Sequence, residues 1–202
     1  MKPIGLGIIG CGVIGTRHML DASESPWIKL VAVADLIEEK ARKAAEQFGA
    51  KKTYFSGDDL LDDPEVDAVV LAFPTKGRTR LGLQAFAKGK HVLTEKPVAM
   101  NSDEVRQLIA ARGDLIAGCC SCRFRLNESA EKATDFIKSG GLGDLRALYC
   151  RVFNAAGEKP KITPPEWRLK KELNGGGILV NWGCYDMDYL LGLTSWSLKP
   201  KS

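Results

Sequence analysis

The sequence has no apolar run long enough to cross a bilayer. Its longest, such as VDAVVLAF at 66–73, falls far short of the ~20 residues a membrane helix needs. No export signal is expected either, because the N-terminal MKPIGLGIIGCG places glycines where a signal peptide is uniformly apolar. Those two absences make the cytoplasm the expected compartment, with no membrane partner. Histidine is scarce, two residues in 202, and both lie far from the CCSC at 119–122, which has no second cysteine pair to complete a zinc set. No metal site is expected, and the six cysteines are expected to be reduced. Clustered charge is lacking as well: 29 Lys and Arg stand against 25 Asp and Glu, spread along the chain, so no nucleic-acid partner is expected. There is no internal repeat and no low-complexity tract.

What is present is an alternation of short apolar runs with helix-like segments, in a composition of 45% hydrophobic and 27% charged residues that suits a globular core. Strand-like IGLGIIG (4–10), IKLVAVAD (28–35), KTYF (52–55), VDAVVLA (66–72), HVLTE (91–95) and DLIAGCC (114–120) are separated by helical periodicity at 13–24, 36–49, 58–62, 76–89 and 102–112. Strands without polar alternation are buried on both faces. The expected fold class is therefore α/β, a doubly wound parallel Rossmann sheet built from right-handed crossovers. A change of rhythm near Arg123 suggests two domains: 1–122 as a dinucleotide-binding unit and 123–202 as the start of a second α/β domain with an open sheet. In the second, helices are expected at 127–139 and 178–192, a strand at LRALYCRVF (145–153), and an irregular basic stretch at 156–172.

GCGVIG (10–15) fits G-x-G-x-x-G, directly after the first strand and opening the first helix. Gly10 would permit the tight turn, Gly12 the approach of a pyrophosphate to the backbone around Val13 and Ile14, and Gly15 close helix–strand packing. Asp35 ends VAVAD at the distance expected of the carboxylate that binds the adenine ribose. The next residues, Leu36, Ile37, Glu38 and Glu39, offer nothing to a 2′-phosphate, so NAD is favoured over NADP, although Lys40 and Arg42 lie close in sequence.

TEKPVAM (94–100) ends the fifth strand at the carboxyl edge of the sheet, where open α/β sheets place their chemistry. Pro97 restricts the backbone of Lys96 and so the direction of its ammonium. Taken in order, GCGVIGTRH, VAVAD, GKHVLTEKPVA, LRALYCRVF, EWRLKKELNGGG and GGGILVNWGCYDMD (175–188) resemble the Gfo/Idh/MocA family of oxidoreductases along the whole chain. The resemblance implies a Rossmann domain followed by a larger domain whose open sheet forms a homo-oligomer interface. It also implies hydride transfer between NAD(P) and a hydroxyl or carbonyl carbon of a sugar, polyol or related compound. Lys96 would contact the reacting oxygen, with Glu95 and Pro97 shaping its loop, and Glu95 and Lys96 are also expected at the cofactor.

The family's second element is a glycine triplet followed by Asp, then His, then often another Asp. This chain carries Asn181, Tyr185 and Asp188 there, and Arg78 where a His is common. Family members related to glucose-fructose oxidoreductase and dihydrodiol dehydrogenase also use Tyr. On one helix, positions 181, 185 and 188 share a stripe. The expectation is that Lys96 lowers the Tyr185 pKa so that Tyr185 exchanges the proton, while Asn181 and Asp188 bind substrate. Relatives usually continue further, so the chain is expected to be a fragment. The alternative to a dehydrogenase is a non-catalytic NAD(P)-binding or regulatory protein without a complete substrate pocket.

Overall fold

The computed structural model describes residues 2–153 and 165–197. Six strands, β1 (Ile4–Ile9), β2 (Ile28–Ala34), β3 (Lys52–Tyr54), β4 (Ala68–Leu71), β5 (His91–Thr94) and β6 (Ala117–Cys119), form one sheet. All of its pairings are parallel, in the order β3-β2-β1-β4-β5-β6. The helices between them are α1 (Val13–Glu24), α2 (Glu38–Phe48), α3 (Gly57–Leu61), α4 (Arg78–Ala87) and α5 (Ser102–Ala111). Chain order reverses between β1 and β4, and that switch point opens a crevice at the carboxyl edge.

Alternation along each strand divides the core between two faces. Val69 and Leu71 of β4 pack with Leu60, Leu81, Ala85 and Phe86 from α3 and α4, whereas Val70 packs with Met19, Ala22, Ala41 and Ala44 from α1 and α2. Each wholly buried side chain of the size of Ile8, Leu60 or Val69 stabilises the fold by roughly 1.5–3 kcal/mol. Helix starts follow side-chain chemistry: Ser56, Asn101 and Asn127 accept from backbone N–H groups of α3, α5 and α6 (Glu128–Lys138). Each such cap is worth about 1 kcal/mol.

Among the described residues beyond β6 the regular elements are helical, chiefly α6, a short α7 (Lys171–Asn174), α8 (Ile178–Asn181) and α9 (Gly183–Leu193). Two expectations are corrected here. The strand expected at 145–153 does not form among the described residues; Tyr149 and Phe153 are 88% and 87% exposed. An isolated strand leaves its N–H and C=O groups without a ladder, and no described segment after Cys119 supplies one. The single helix expected over 178–192 is broken at Trp182, whose φ of −116° leaves the helical range just before the weak helix former Gly183. The irregular stretch expected at 156–172 lies partly outside the described residues. No helix of the described residues is long and apolar enough to cross a membrane.

Candidate active site

The turn from β1 into α1 is shaped by sterics at two glycines. Gly10 has a φ of 102°, which disfavours any side chain, and a Cβ on Gly15 would lie 1.8 Å from the Gly10 carbonyl oxygen. At Gly12 nothing lies within 4 Å of where a Cβ would stand, so a phosphate has room to approach the backbone. The first-turn N–H groups of Val13, Ile14 and Gly15 have no intrahelical acceptor and face that space with the positive end of α1. Val13 is 91% exposed. Asp35 is tied into the same turn: its Oδ2 accepts from the Cys11 N–H at 2.8 Å and its Oδ1 from the Ile37 N–H at 2.9 Å. Each carboxylate oxygen keeps another lone pair, which suits a ribose hydroxyl. Arg42 is engaged elsewhere, 3.6 Å from Glu38 and stacked over Phe55. The structure thus gathers Gly10, Gly12, Val13, Ile14, Gly15 and Asp35 at one place, and the donors and acceptors there fit a dinucleotide.

The loop after β5 is held from below. Arg78, only 3% exposed, donates to the carbonyls of Phe73 (2.6 Å), Glu95 (2.6 Å) and Pro97 (2.7 Å), bracketing the Lys96–Pro97 bond, which is cis. Burial pulls the Arg78 pKa down to about 10, against the opposing pull of Glu95, so the guanidinium stays charged at neutral pH. Where a histidine could have met the substrate, this arginine fastens the loop. Glu95 is buried as well, its Oε1 2.9 Å from His18 Nε2 on α1 and its Oε2 accepting from the Lys96 N–H at 3.1 Å. Burial would raise its pKa, but His18, the Lys96 N–H and Arg78 outweigh that and hold the carboxyl below its ordinary range. Glu95 thus joins the phosphate-loop helix to the Lys96 loop. The residues that sequence reasoning missed, His18, Cys120 and the clamping role of Arg78, are joined to this loop across long sequence separations; the only signal was the His in GTRH.

Lys96 Nζ donates to the Asn181 carbonyl at 2.8 Å and to its Oδ1 at 3.0 Å. Burial lowers the Lys96 pKa, with partial opposition from Cys184 and Glu95. The ammonium lies 5.0 Å from the centre of the Tyr185 ring, which is buried against Phe124 and Trp182. Lys96, Asn181 and Tyr185 are thus brought together as expected, with one correction. The Lys96 charge lies over the ring, yet the phenol pKa is raised and not lowered: burial, with Glu95 and Cys184 adding to it, pushes it up against the pull of Arg123. Asp188 is paired with Arg125 Nε at 2.9 Å and lies 3.4 Å from Ser121 Oγ. A cleft of about 700 Å³, lined by Val105, Leu108, Met187 and Leu191, also has Lys96 and Asp188 in its wall.

Comparison with known proteins shows the family. Residues 4–114 match the model described as "Oxidoreductase family, NAD-binding Rossmann fold", and residues 130–198 match the "GFO/IDH/MocA C-terminal domain". The chain is 34% identical over 183 residues to dTDP-3,4-didehydro-2,6-dideoxy-alpha-D-glucose 3-reductase of Streptomyces violaceoruber, covering 89% of this chain and 51% of that protein. It is 29% identical over 185 residues to 1,5-anhydro-D-fructose reductase of Ensifer adhaerens, covering 91% and 54%. Among solved structures, an NAD-binding protein from Listeria innocua superposes with a TM-score of 0.78 at 33% identity, covering 94% of this chain and 54% of that one. The chain spans about half the length of the curated relatives it matches. With both halves matched in order, the chain belongs to the Gfo/Idh/MocA family of oxidoreductases.

Proposed function

We propose that this chain binds NAD at the β1–α1 turn and carries the catalytic side chains of an oxidoreductase acting on a hydroxyl or carbonyl carbon of a sugar or polyol. NAD, when bound, supplies the hydride donor or acceptor. Gly12 leaves room for the pyrophosphate, and the Asp35 carboxylate, which would repel a 2′-phosphate, suits an unphosphorylated ribose better. The related sugar reductases support the substrate class.

The observation that carries the reading is the double hydrogen bond from Lys96 to Asn181 beside Tyr185. An ammonium has three N–H groups. Two are taken by Asn181, which directs the third towards a substrate oxygen, where charge develops as hydride moves. A phenol whose pKa is raised stays protonated at neutral pH, so Tyr185 is suited to donating a proton to the oxygen of a carbonyl under reduction. Assaying NADH oxidation with a panel of ketoses, lactones and sugar aldehydes tests this. Turnover is expected with at least one of them, and Lys96→Met should lower it by about 10³-fold while NADH binding persists.

A second reading, an NAD-binding protein without turnover, is favoured by one observation: Asp188, which could receive a substrate hydroxyl, is already paired with Arg125. NADH binding without turnover of any compound in the panel would select it.

A further inference from the structure

His18, Glu95 and Cys120 come from α1, the end of β5 and the end of β6, and their ligating atoms all lie within 4.8 Å of one another. The backbone holds them there: the Cys120 N–H donates to the Thr94 carbonyl at 3.0 Å, and the Lys96 N–H fixes the second oxygen of Glu95. His18 Nε2 meets one oxygen of that carboxylate at 2.9 Å.

We propose that His18 Nε2, Glu95 Oε1 and Cys120 Sγ form a three-ligand site for a borderline-soft divalent cation, Zn²⁺ above all, with a fourth position for water. The mixed N, O and S donor set is one that zinc accepts and that hard cations such as Mg²⁺ do not. Tetrahedral bonds of ~2.0–2.1 Å to nitrogen and oxygen separate those atoms by about 3.3 Å, so the His18–Glu95 pair opens by only a few tenths of an ångström. Zinc-to-sulfur bonds of ~2.3 Å place the sulfur about 3.6 Å from the nitrogen, a closing of about an ångström at most. On binding, the S–H proton of Cys120 leaves to solvent and the proton that His18 Nε2 donates to Glu95 leaves that nitrogen, so that the imidazole coordinates through Nε2 with its one remaining proton on Nδ1; no electron is transferred. Because Glu95 Oε2 holds the Lys96 backbone, the bound cation is fastened to the Lys96 loop. The site stands whether or not the chain turns over substrate.

The test is titration of the purified, reduced chain with Zn²⁺ by calorimetry, and with Co²⁺ by absorption, in parallel with the variants Cys120→Ser, His18→Ala, Cys119→Ser and Cys122→Ser, each checked for folding by circular dichroism. One ion per chain is expected, with a thiolate-to-cobalt charge-transfer band in the near ultraviolet. Cys120→Ser should abolish the band and His18→Ala should weaken binding by about tenfold or more, while Cys119→Ser and Cys122→Ser leave both unchanged. Absence of stoichiometric binding would overturn the proposal. So would a cobalt band that survives in folded Cys120→Ser or disappears in Cys122→Ser.

Discussion

The Lys96 ammonium and Asn181 meet through two hydrogen bonds, one to the backbone carbonyl and one to the side-chain oxygen, across 85 positions of sequence. The contact ties the helical segment after the glycine triplet to the loop after β5 and gives the ammonium a fixed heading. In Asn181→Asp a carboxylate replaces the amide, and the resulting ion pair raises the Lys96 pKa. Labelling of Lys96 by an amine-directed reagent, followed by peptide mass spectrometry, should slow by about tenfold at fixed pH. Equal rates in the two proteins would mean that Asn181 does not govern the ammonium.

Two glycines of one motif should fail in different ways. Gly15→Ala drives a Cβ into the Gly10 carbonyl and is expected to cost roughly 2 kcal/mol or more in denaturant unfolding. Gly12→Ala meets nothing in the protein and should leave the unfolding midpoint within about 0.5 kcal/mol, yet weaken NADH because the methyl group occupies the space for the pyrophosphate. Similar stability losses in both variants would contradict the assignment of Gly12 to the cofactor.

Arg78 satisfies the carbonyls of Phe73, Glu95 and Pro97, sharing the second with the Thr94 hydroxyl. Arg78→Leu is expected to destabilise the fold by roughly 3–5 kcal/mol, the scale for removing one partner of a buried charged contact. Arg78→Lys should recover only part of this, because an ammonium cannot span the same fork. Chemical denaturation of the two variants beside the parent measures the difference.

The depressed pKa of Glu95 has a definite sign in linkage. The unfolded chain protonates this carboxyl near 4.5 and the folded chain only below that, so its contribution is complete above pH 4.5 and is lost as pH falls through the folded value. Glu95→Gln should therefore be less stable than the parent at pH 7, by roughly 3 kcal/mol, with a gap that narrows below pH 4.5. Thermal melts from pH 7 to pH 3 follow this; a gap independent of pH would show that Glu95 carries no such charge.

The Rossmann half was legible because its determinants are local. Apolar runs such as LVAVA, the glycines before α1 and the Ala spacing of α2 each specify their own element, and the acid at the end of β2 could be located by counting. What escaped depends on partners distant in sequence. Nothing near Arg78 says that it will fasten the ends of two loops, and His18 finds Glu95 only once β1 and β5 lie in one sheet. LRALYCRVF has the composition of a strand, but a strand forms only beside another, and none is described there. The helical segment holding Tyr185 was legible, but not its break at Trp182, and burial of the phenol, set by side chains packed around the ring, reversed the expected pKa shift.

The central claim, an NAD site whose ribose carboxylate is Asp35, is tested most directly by calorimetric titration of the purified chain with NADH and NADPH, repeated on Asp35→Ala. NADH should bind more tightly than NADPH, and the variant should lose about tenfold or more of its NADH affinity, the value of one or two hydrogen bonds to a charged group. NADPH binding as tightly as NADH, or NADH affinity unchanged in the variant, would contradict the assignment.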